Sequence, residues 1–517
     1  MKHPWQCLIL LPSVSAHINL ASSYAPDCLT FASSIGLSQY NASFLNATYH
    51  PAGLLNISGL TNDIPLCEIF TIISYGTNDT LISTLWLPDS TDYANRFMAV
   101  GNGGMAGVID TANMLAQLNS GLGFAVAGGD AGHSALDNNA GAGAPGIYLP
   151  YLHDPDQVEA WIHDAIALFT PAARAITEAY YGESPKYSYY DGCSTGGAQG
   201  FALAQYHPDL FDGIVAGSPG NWSSHLALSF LWNAQQTNTS ARNLTQEVLD
   251  FVTNAVLDAC DTLDGVADRL LENPFACNID IDNLACGPNS ASTTDNITCL
   301  TAPQLSAFHA IYSGPVRSDN GKPLYPGFSL GSETEWLLQE GPLADAFSIP
   351  ILQNLVYNDL SYNSNTFNWA SSVGDLNRKA GAHIDETNPN LSTFRDAGGK
   401  MLVTQGWADP FNAALWPIKH LHQIERALGG DVSEWFELFM VPGGGHCGAA
   451  GGYPGVPASY NTVAPLVKWV EEGEVPKEVQ STDPPDESGR SRRLCPWPET
   501  ARYVGGDEKD WESYLCK

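Results

Sequence analysis

The chain has 517 residues, 44% of them apolar, enough for a large core and more than one domain. Its formal net charge is −33, from 55 acidic against 22 basic residues. A field of that sign repels phosphate backbones and anionic lipid, so nucleic-acid and membrane-surface partners are disfavoured.

In chain order, residues 1 to about 21 read as a secretory signal. Lys2 and His3 precede the short apolar run "WQCLILLPSVSA", and Ala16 or Ala21 offers a small residue for cleavage. The run is far too short to span a bilayer. N-x-S/T sequons stand at Asn41, Asn46, Asn56, Asn78, Asn221, Asn238, Asn243, Asn296 and Asn390, many for a chain that never meets the glycosylation machinery. Of the 11 cysteines, Cys7 leaves with the signal, and the remaining even number suits disulfides formed in an oxidising compartment. These features point to a secreted, extracellular protein. No period of 20–50 residues repeats, which sets aside solenoids and propellers.

From residue 96 onward the pattern alternates strands with helices. "RFMAV" (96–100) runs into the glycine-rich "GNGGMAG", and "GFAVAGG" (123–129) into "DAGH". Residues 154–182 carry helical apolar spacing with an acidic first turn and a terminal glycine. "KYSYYDG" is strand-like and "GAQGFALAQY" helix-like. Strands that each hand over to a loop and a helix predict a mainly parallel sheet covered on both faces. Between about 223 and 401 the chain turns Asn/Ser/Thr-rich, holds four cysteines and loses the alternation, as an inserted domain would. Strand signals resume in "KMLVTQGWADP" (400–410) and "WFELFMVPGGGHC" (435–447), so the first domain, 22–222 and 402–517, is split around the insert.

Gly192-Cys193-Ser194-Thr195-Gly196 fits G-x-S-x-G between a predicted strand and a predicted helix, the context in which a tight turn exposes a serine hydroxyl above a sheet. Taken alone, the pentapeptide is also compatible with a small-residue turn that does no chemistry. Asp409 follows the strand at 401–408 and His446 follows the strand at 436–442. The chain order Ser194, Asp409, His446 is that of an α/β-hydrolase. In those roles Ser194 attacks a carbonyl carbon, His446 takes and returns the proton, and Asp409 orients the imidazole. By themselves Asp409 could be a turn acid before Pro410 and His446 an ordinary loop histidine. The N–H groups of Thr195 and Gly104 are the candidate oxyanion donors. Cys193 precedes the serine and Cys447 follows the histidine, so a disulfide between them would tie the nucleophile loop to the base loop. A nucleophilic Cys193 would instead need a free thiolate in an oxidising compartment and would leave Cys447 without a role. Asp130 and His133 in "GGDAGH" follow a strand, and His133 reads as a hydrogen-bonded support rather than a second base.

"GCSTGG", "GWADP" and "VPGGGHC" resemble the CS-D-HC signature of the fungal and bacterial tannase and feruloyl esterase family. The likeness extends through "GNGGMAG", "DAGH", "GSPGNW", "FRDAGGKMLV" and the tail "LCPWPETARYVGGD", and by size is greatest with the feruloyl esterase B group. The resemblance implies an α/β-hydrolase fold with a large inserted lid, and a secreted serine carboxylesterase acting on feruloyl esters of plant cell-wall polysaccharides. A tannase acting on galloyl esters is the alternative, and a non-catalytic binding protein on a hydrolase scaffold the alternative of another class. It also implies the pairs Cys28–Cys67, Cys260–Cys277, Cys286–Cys299 and Cys495–Cys516. In the lid it implies a structural calcium ion held by the carboxylates of Asp261, Asp264 and Asp268 and the carbonyls of Val266 and Leu270. On residues alone that stretch reads equally well as a solvated acidic loop, since it lacks EF-hand spacing. Gln405 departs from the histidine that many family members carry at this position, which puts one local contact in question.

Overall fold

Runs in which nearly every residue is apolar form the middle of the sheet, because a parallel strand covered on both faces has no solvent side to make polar. The structure is a computed structural model that describes residues 28–517 apart from 138, 140, 141 and 289–296. The expected signal segment 1–21, with Cys7, and the sequon at Asn296 lie outside the described residues.

Nine strands make the main sheet: β1 (Ala42–His50), β2 (Leu66–Tyr75), β3 (Asp79–Pro88), β4 (Arg96–Val100), β5 (Phe124–Gly129), β6 (Tyr187–Cys193), β7 (Gly213–Gly217), β8 (Lys400–Gly406) and β9 (Phe436–Val441). Their spatial order is β1-β2-β3-β5-β4-β6-β7-β8-β9. β1, β2, β3 and β5 pair antiparallel in turn, and every pairing from β5 through β4 to β9 is parallel. This mixed sheet with helical crossovers is the predicted α/β architecture, extended by an antiparallel edge.

Alternation along β4 shows how the faces are covered. Phe97 and Ala99 join a core with Phe169, Phe201, Ile418 and Ile424 from the helices Ala165–Tyr181, Thr195–Tyr206 and Leu415–Leu428. Met98 and Val100 face a second core with Met114, Leu115, Leu466 and Trp469 from the helices Thr111–Leu118 and Val463–Glu472. The helical stretch expected over 154–182 is a helix over Ala165–Tyr181, preceded by a short helical turn, Pro155–Glu159, and a wider turn, Ala160–Asp164.

The stretch expected as one insert, 223–401, packs in two ways. Leu249, Val252, Val256, Phe308 and Trp336 build their own core, which also takes in Ala450 and Tyr453 from the loop after His446. Ile351, Leu352, Val373, Leu376, Ile384 and Phe394 join the main core beneath the sheet. Composition marked where regular alternation stops, and composition does not encode which side chains share a core.

All five disulfides are formed: Cys28–Cys67, Cys193–Cys447, Cys260–Cys277, Cys286–Cys299 and Cys495–Cys516. The sequon asparagines outside the masked stretch are exposed, with one exception. Asn221 is 1% exposed, its amide donates to Glu386 O (2.8 Å), and its oxygen accepts from Trp416 Nε1 (2.7 Å), so it is a packing residue that no glycan can reach. Among the described residues, no helix is long and apolar enough to cross a membrane.

Candidate active site

β6 ends at Cys193, and Ser194 follows with φ 64° and ψ −119°, a strained conformation for a residue with a side chain. Neighbouring backbone holds it there. The Ser194 N–H donates to Gly217 O (2.9 Å), and its carbonyl accepts from Ala198 N (3.1 Å) and Gly220 N (3.1 Å). The crossing is close enough that a Cβ at Gly197 would lie 2.5 Å from Gly217 O. The strain lifts the half-buried Ser194 hydroxyl clear of the sheet at the head of the helix Thr195–Tyr206.

Asp409 lies just beyond β8 and is 1% exposed. Its Oδ1 accepts from Phe411 N (2.8 Å) and Asn412 N (3.0 Å), and its Oδ2 from Gln405 Nε2 (2.9 Å). Gln405 therefore supplies a donor to the carboxylate, which answers the question its departure from the family histidine raised. His446 Nδ1 stands 2.9 and 3.0 Å from the two Asp409 oxygens, and the Phe411 ring stacks on the imidazole with centroids 4.4 Å apart. A carboxylate only accepts, so Nδ1 carries the hydrogen, and Nε2 of the neutral ring keeps its lone pair. Nε2 is buried and has no hydrogen-bond partner. His446 and Ser194 line one cavity of about 590 Å³.

The Cys193–Cys447 bridge, with Cα atoms 5.9 Å apart, joins the residue before the serine to the residue after the histidine. Cys447 N also donates to Ser218 Oγ (3.3 Å), on the loop that leaves β7.

The glycine-rich loop after β4 is pinned to the helix behind the serine. Gln199 Nε2 donates to Asn102 Oδ1 (3.1 Å), Asn102 N donates back to Gln199 Oε1 (3.0 Å), and Thr195 Oγ1 donates to Gly104 O (2.6 Å). Gly104 sits at φ 56° on the cavity wall. The Thr195 N–H opens a helix, so no carbonyl within that helix can accept from it. His133 is buried, donates from Nε2 to Met105 O (2.7 Å) and stacks on Tyr151. Burial pushes its pKa down, and it braces the glycine-rich loop from behind. Asp130 accepts from Ile82 N (3.1 Å) and Gly132 N (3.0 Å), and burial raises it to about 6.

On the other side of Ser194 lies a narrow apolar slot walled by Trp161, Leu226, Phe230, Phe347, Ile351 and Phe411. No sequence signal singled out these side chains or Phe411's stacking on His446. They come from the core helix region, the insert and the loop after β8, and only folding assembles them.

In the loop 260–277, Asp261 Oδ1 accepts from Asp268 N (3.1 Å) and Arg269 N (2.8 Å). Arg492, from the C-terminal tail, reaches in to Asp264 (2.8 Å), Glu272 (3.0 Å) and Asp268, while Arg490 pairs with Asp268 (3.0 Å). Val266 and Leu270 are buried beside them. Sequence reasoning missed Glu272 and both arginines, since nothing in the tail advertises a partner more than two hundred positions away.

Together these features define an α/β-hydrolase with a serine, a histidine and a buried aspartate at three strand ends. The sequence profile described as "Tannase and feruloyl esterase" matches residues 67–517. The chain belongs to that family of carboxylic ester hydrolases. It is 30% identical over 475 residues to a "probable feruloyl esterase" of Arthroderma benhamiae, covering 88% of this chain and 86% of that one. It is 27% identical over 537 residues to a "probable feruloyl esterase B-1" of Aspergillus terreus, covering 96% of each. The crystal structure of feruloyl esterase B from Aspergillus oryzae superposes with a TM-score of 0.81 at 25% identity, over 95% of this chain and 100% of that one. A tannin acyl hydrolase from Aspergillus niger shares the fold, with a TM-score of 0.68 at 21% identity, over 92% of each chain.

Proposed function

We propose that the protein is a secreted serine esterase that cleaves hydroxycinnamoyl esters, feruloyl esters foremost, by way of an acyl-enzyme on Ser194. The observation that carries this reading is the unpaired, buried Nε2 of His446, backed by Asp409 through Nδ1, on the wall of a cavity that Ser194 also lines. Ser194 Oγ attacks the ester carbonyl carbon as its proton passes to His446 Nε2. The N–H groups of Thr195 and Gly104 stabilise the tetrahedral oxyanion. Collapse breaks the bond to the alkoxy oxygen, which leaves with the proton from Nε2. Water, deprotonated by the same nitrogen, then attacks the acyl carbon, and the acid departs as the serine recovers its proton. Asp409 fixes the tautomer and offsets the charge of the transient imidazolium.

The choice of acyl group follows from the apolar slot. A galloyl ring would bring three adjacent hydroxyls against Leu226, Phe230 and Ile351, and each hydroxyl that Ser223, Asn412 or Trp161 Nε1 does not pair costs about 1–3 kcal/mol. A feruloyl ring brings one hydroxyl and a methoxy group on a planar apolar arm. The slot's open volume is about 50 Å³. A cavity that takes benzene offers about 150 Å³, so the slot must widen as the ring enters. Initial rates on methyl ferulate and methyl gallate test the assignment, and kcat/KM is expected to favour the ferulate at least tenfold. Ser194→Ala should abolish turnover with the thermal transition nearly unchanged, and residual turnover by that variant would remove the serine from its role.

A calcium ion in the 260–277 loop belongs to the same proposal. The carboxylates of Asp264, Asp268 and Glu272 pair with the guanidinium groups of Arg490 and Arg492, that of Asp261 accepts from the loop's own N–H groups, and Asp268 Oδ1 is buried without a partner. This all-oxygen donor set with excess negative charge fits a hard dication. Among the described residues only Asp79, Asp154 and Asp156 gather three carboxylate oxygens within 4.8 Å, so an ion here would draw Asp261, Asp264 and Asp268 inward. Asp261, Asp264, Asp268 and the carbonyls of Val266 and Leu270 would hold it, in a structural role. Secretion is supported by the five disulfides, which persist in oxidising compartments.

A further inference from the structure

His446 and Asp409 leave the sheet on separate loops, and one short segment of the insert holds both. That segment is the helical stretch Glu333–Glu340. The Glu335 carboxylate accepts from the backbone of the histidine loop, from Gly451 N at Oε2 (3.1 Å) and from Gly452 N at Oε1. Four residues on, Gln339 is 1% exposed and donates from Nε2 to Pro410 O. Asn233, on the helix Ser223–Thr237, donates to Gln339 Oε1 (2.9 Å) and so fixes which way the amide points. Trp336, between the two, is fully buried in the insert's own core and roots the segment there.

Each contact lies close to a catalytic group. The Pro410 carbonyl and the Phe411 N–H belong to one planar peptide unit. Gln339 grips its oxygen and Asp409 Oδ1 accepts from its N–H (2.8 Å), so turning that plane would move the donor off the carboxylate. On the other loop, Gly445 N donates to Gly448 O (2.9 Å), closing a tight turn around His446 and Cys447. The chain runs from that turn to the glycines that Glu335 holds. A Cβ at Gly452 would collide with Thr334, so only a glycine lets the loop come this near the segment. Beside the contact opens a cavity of about 690 Å³, walled in part by Leu337, Leu338, Gly451 and Gly452. On that side the glycines face open space, and the carboxylate supplies the hold that packing does not.

We infer that the segment Glu333–Glu340 braces the catalytic pair, with Glu335 and Gln339 as positioning residues that keep the His446 and Asp409 loops in register for proton transfer. This inference rests on the proposed esterase reading. Neither side chain touches the ester. Both act through backbone, where a displacement of about 1 Å can cost a hundredfold in rate.

The test uses the full-length protein and the variants Glu335→Ala, Glu335→Gln and Gln339→Ala, with the exposed Leu337→Ser on the same segment as control. Three quantities are measured: kcat and KM on methyl ferulate, the rate at which a fluorophosphonate labels Ser194, and the thermal transition. Labelling depends on activation of the serine by the imidazole and not on how the ester is held. One lost hydrogen bond corresponds to roughly a two- to tenfold change. Per folded molecule, kcat is expected to fall about tenfold in Glu335→Ala and about three- to tenfold in Gln339→Ala, with KM within about twofold and labelling slowed in proportion. Glu335→Gln should recover part of the loss, since its amide oxygen can still accept from one of the two N–H groups. Thermal transitions that drop while kcat and labelling stay within about twofold would make the segment a strut for stability alone and overturn the brace, as would equal slowing by Leu337→Ser. A wild type that neither cleaves methyl ferulate nor takes up the label overturns the esterase reading, and the brace falls with it. Glu335→Gln nearly conserves shape, so it keeps the test decisive should Glu335→Ala fold poorly.

Discussion

Two cross-linked regions of this molecule are stabilised in opposite ways. At the Cys193–Cys447 junction glycines and backbone carbonyls come into close contact, Ser218 Oγ accepts from Cys447 N, and the nearby Asp409 carboxylate has its hydrogen-bond sites filled. At the Cys260–Cys277 loop the bridge closes a short segment, and order depends on buried charges cancelling through Arg492. The first region positions reacting atoms and tolerates little movement. The second anchors the insert to the tail and can absorb change, provided its charges stay paired. A bridge across 254 positions removes far more freedom from the unfolded chain than one across 17.

That contrast can be broken most severely at the long bridge. Cys193→Ala combined with Cys447→Ala is expected to cost on the order of 5 kcal/mol in the chain-entropy model. Activity should fall further than the folded fraction does, because the loops carrying Ser194 and His446 are no longer tied. Denaturant titration with parallel rates on methyl ferulate measures both, and full activity in the folded double variant would end the positional role of the bridge.

Arg492→Leu comes next. It leaves Asp264 and Glu272 buried without their cation and Asp268 with Arg490 alone, a loss of about 3–5 kcal/mol, with kcat per folded molecule within about twofold of wild type. Removing Cys260 and Cys277 together should cost about 3 kcal/mol and likewise spare kcat. If either change abolished turnover in folded protein, the two regions would not be separable. Chelation with EDTA is a milder probe of the same loop. The thermal transition should drop by a few degrees and return with added calcium, and activity at 25 °C should persist.

The smallest expected effect is pH dependence set by buried carboxylates remote from both bridges. Burial, with Asp431 and Glu499 nearby, pushes Glu437 on β9 up to about 8, and burial raises Asp385 to about 7. Between their unfolded values near 4 and these raised ones, the folded chain binds more protons than the unfolded chain. Stability therefore declines as pH rises through that window. The thermal transition should be higher near about pH 5 than near about pH 8, and Glu437→Gln should shrink the difference. An unaltered slope in that variant would take Glu437 out of the account.

Much of the core was legible before folding because parallel strands are apolar throughout: "RFMAV" is β4 to the residue, and "GFAVAGG" and "WFELFMV" each miss by one at the start. The edge strands β1, β2 and β3 raised no such expectation. β1 alternates imperfectly, with a register shift between Phe44 and Asn46, and its side chains acquire an inside only when β2 lies beside it. The sequon at Asn221 misled for a related reason, since the pattern is local and the burial that silences it is contributed by Glu386 and Trp416.

From its amino acids alone this chain determined its sheet-forming segments, the order Ser194, Asp409, His446 and the cysteines beside two of them, because backbone periodicity and reactive side chains are written locally. Only the tertiary structure decided that Gln405 feeds Asp409, that Phe411 covers His446, that Arg492 enters an acidic loop, and that a cavity beside His446 and an apolar slot meet at one serine. Apart from Gln405 and Asp409, those contacts join residues far apart in the chain, and burial, which sets the strength of all of them, is a property of the assembled molecule.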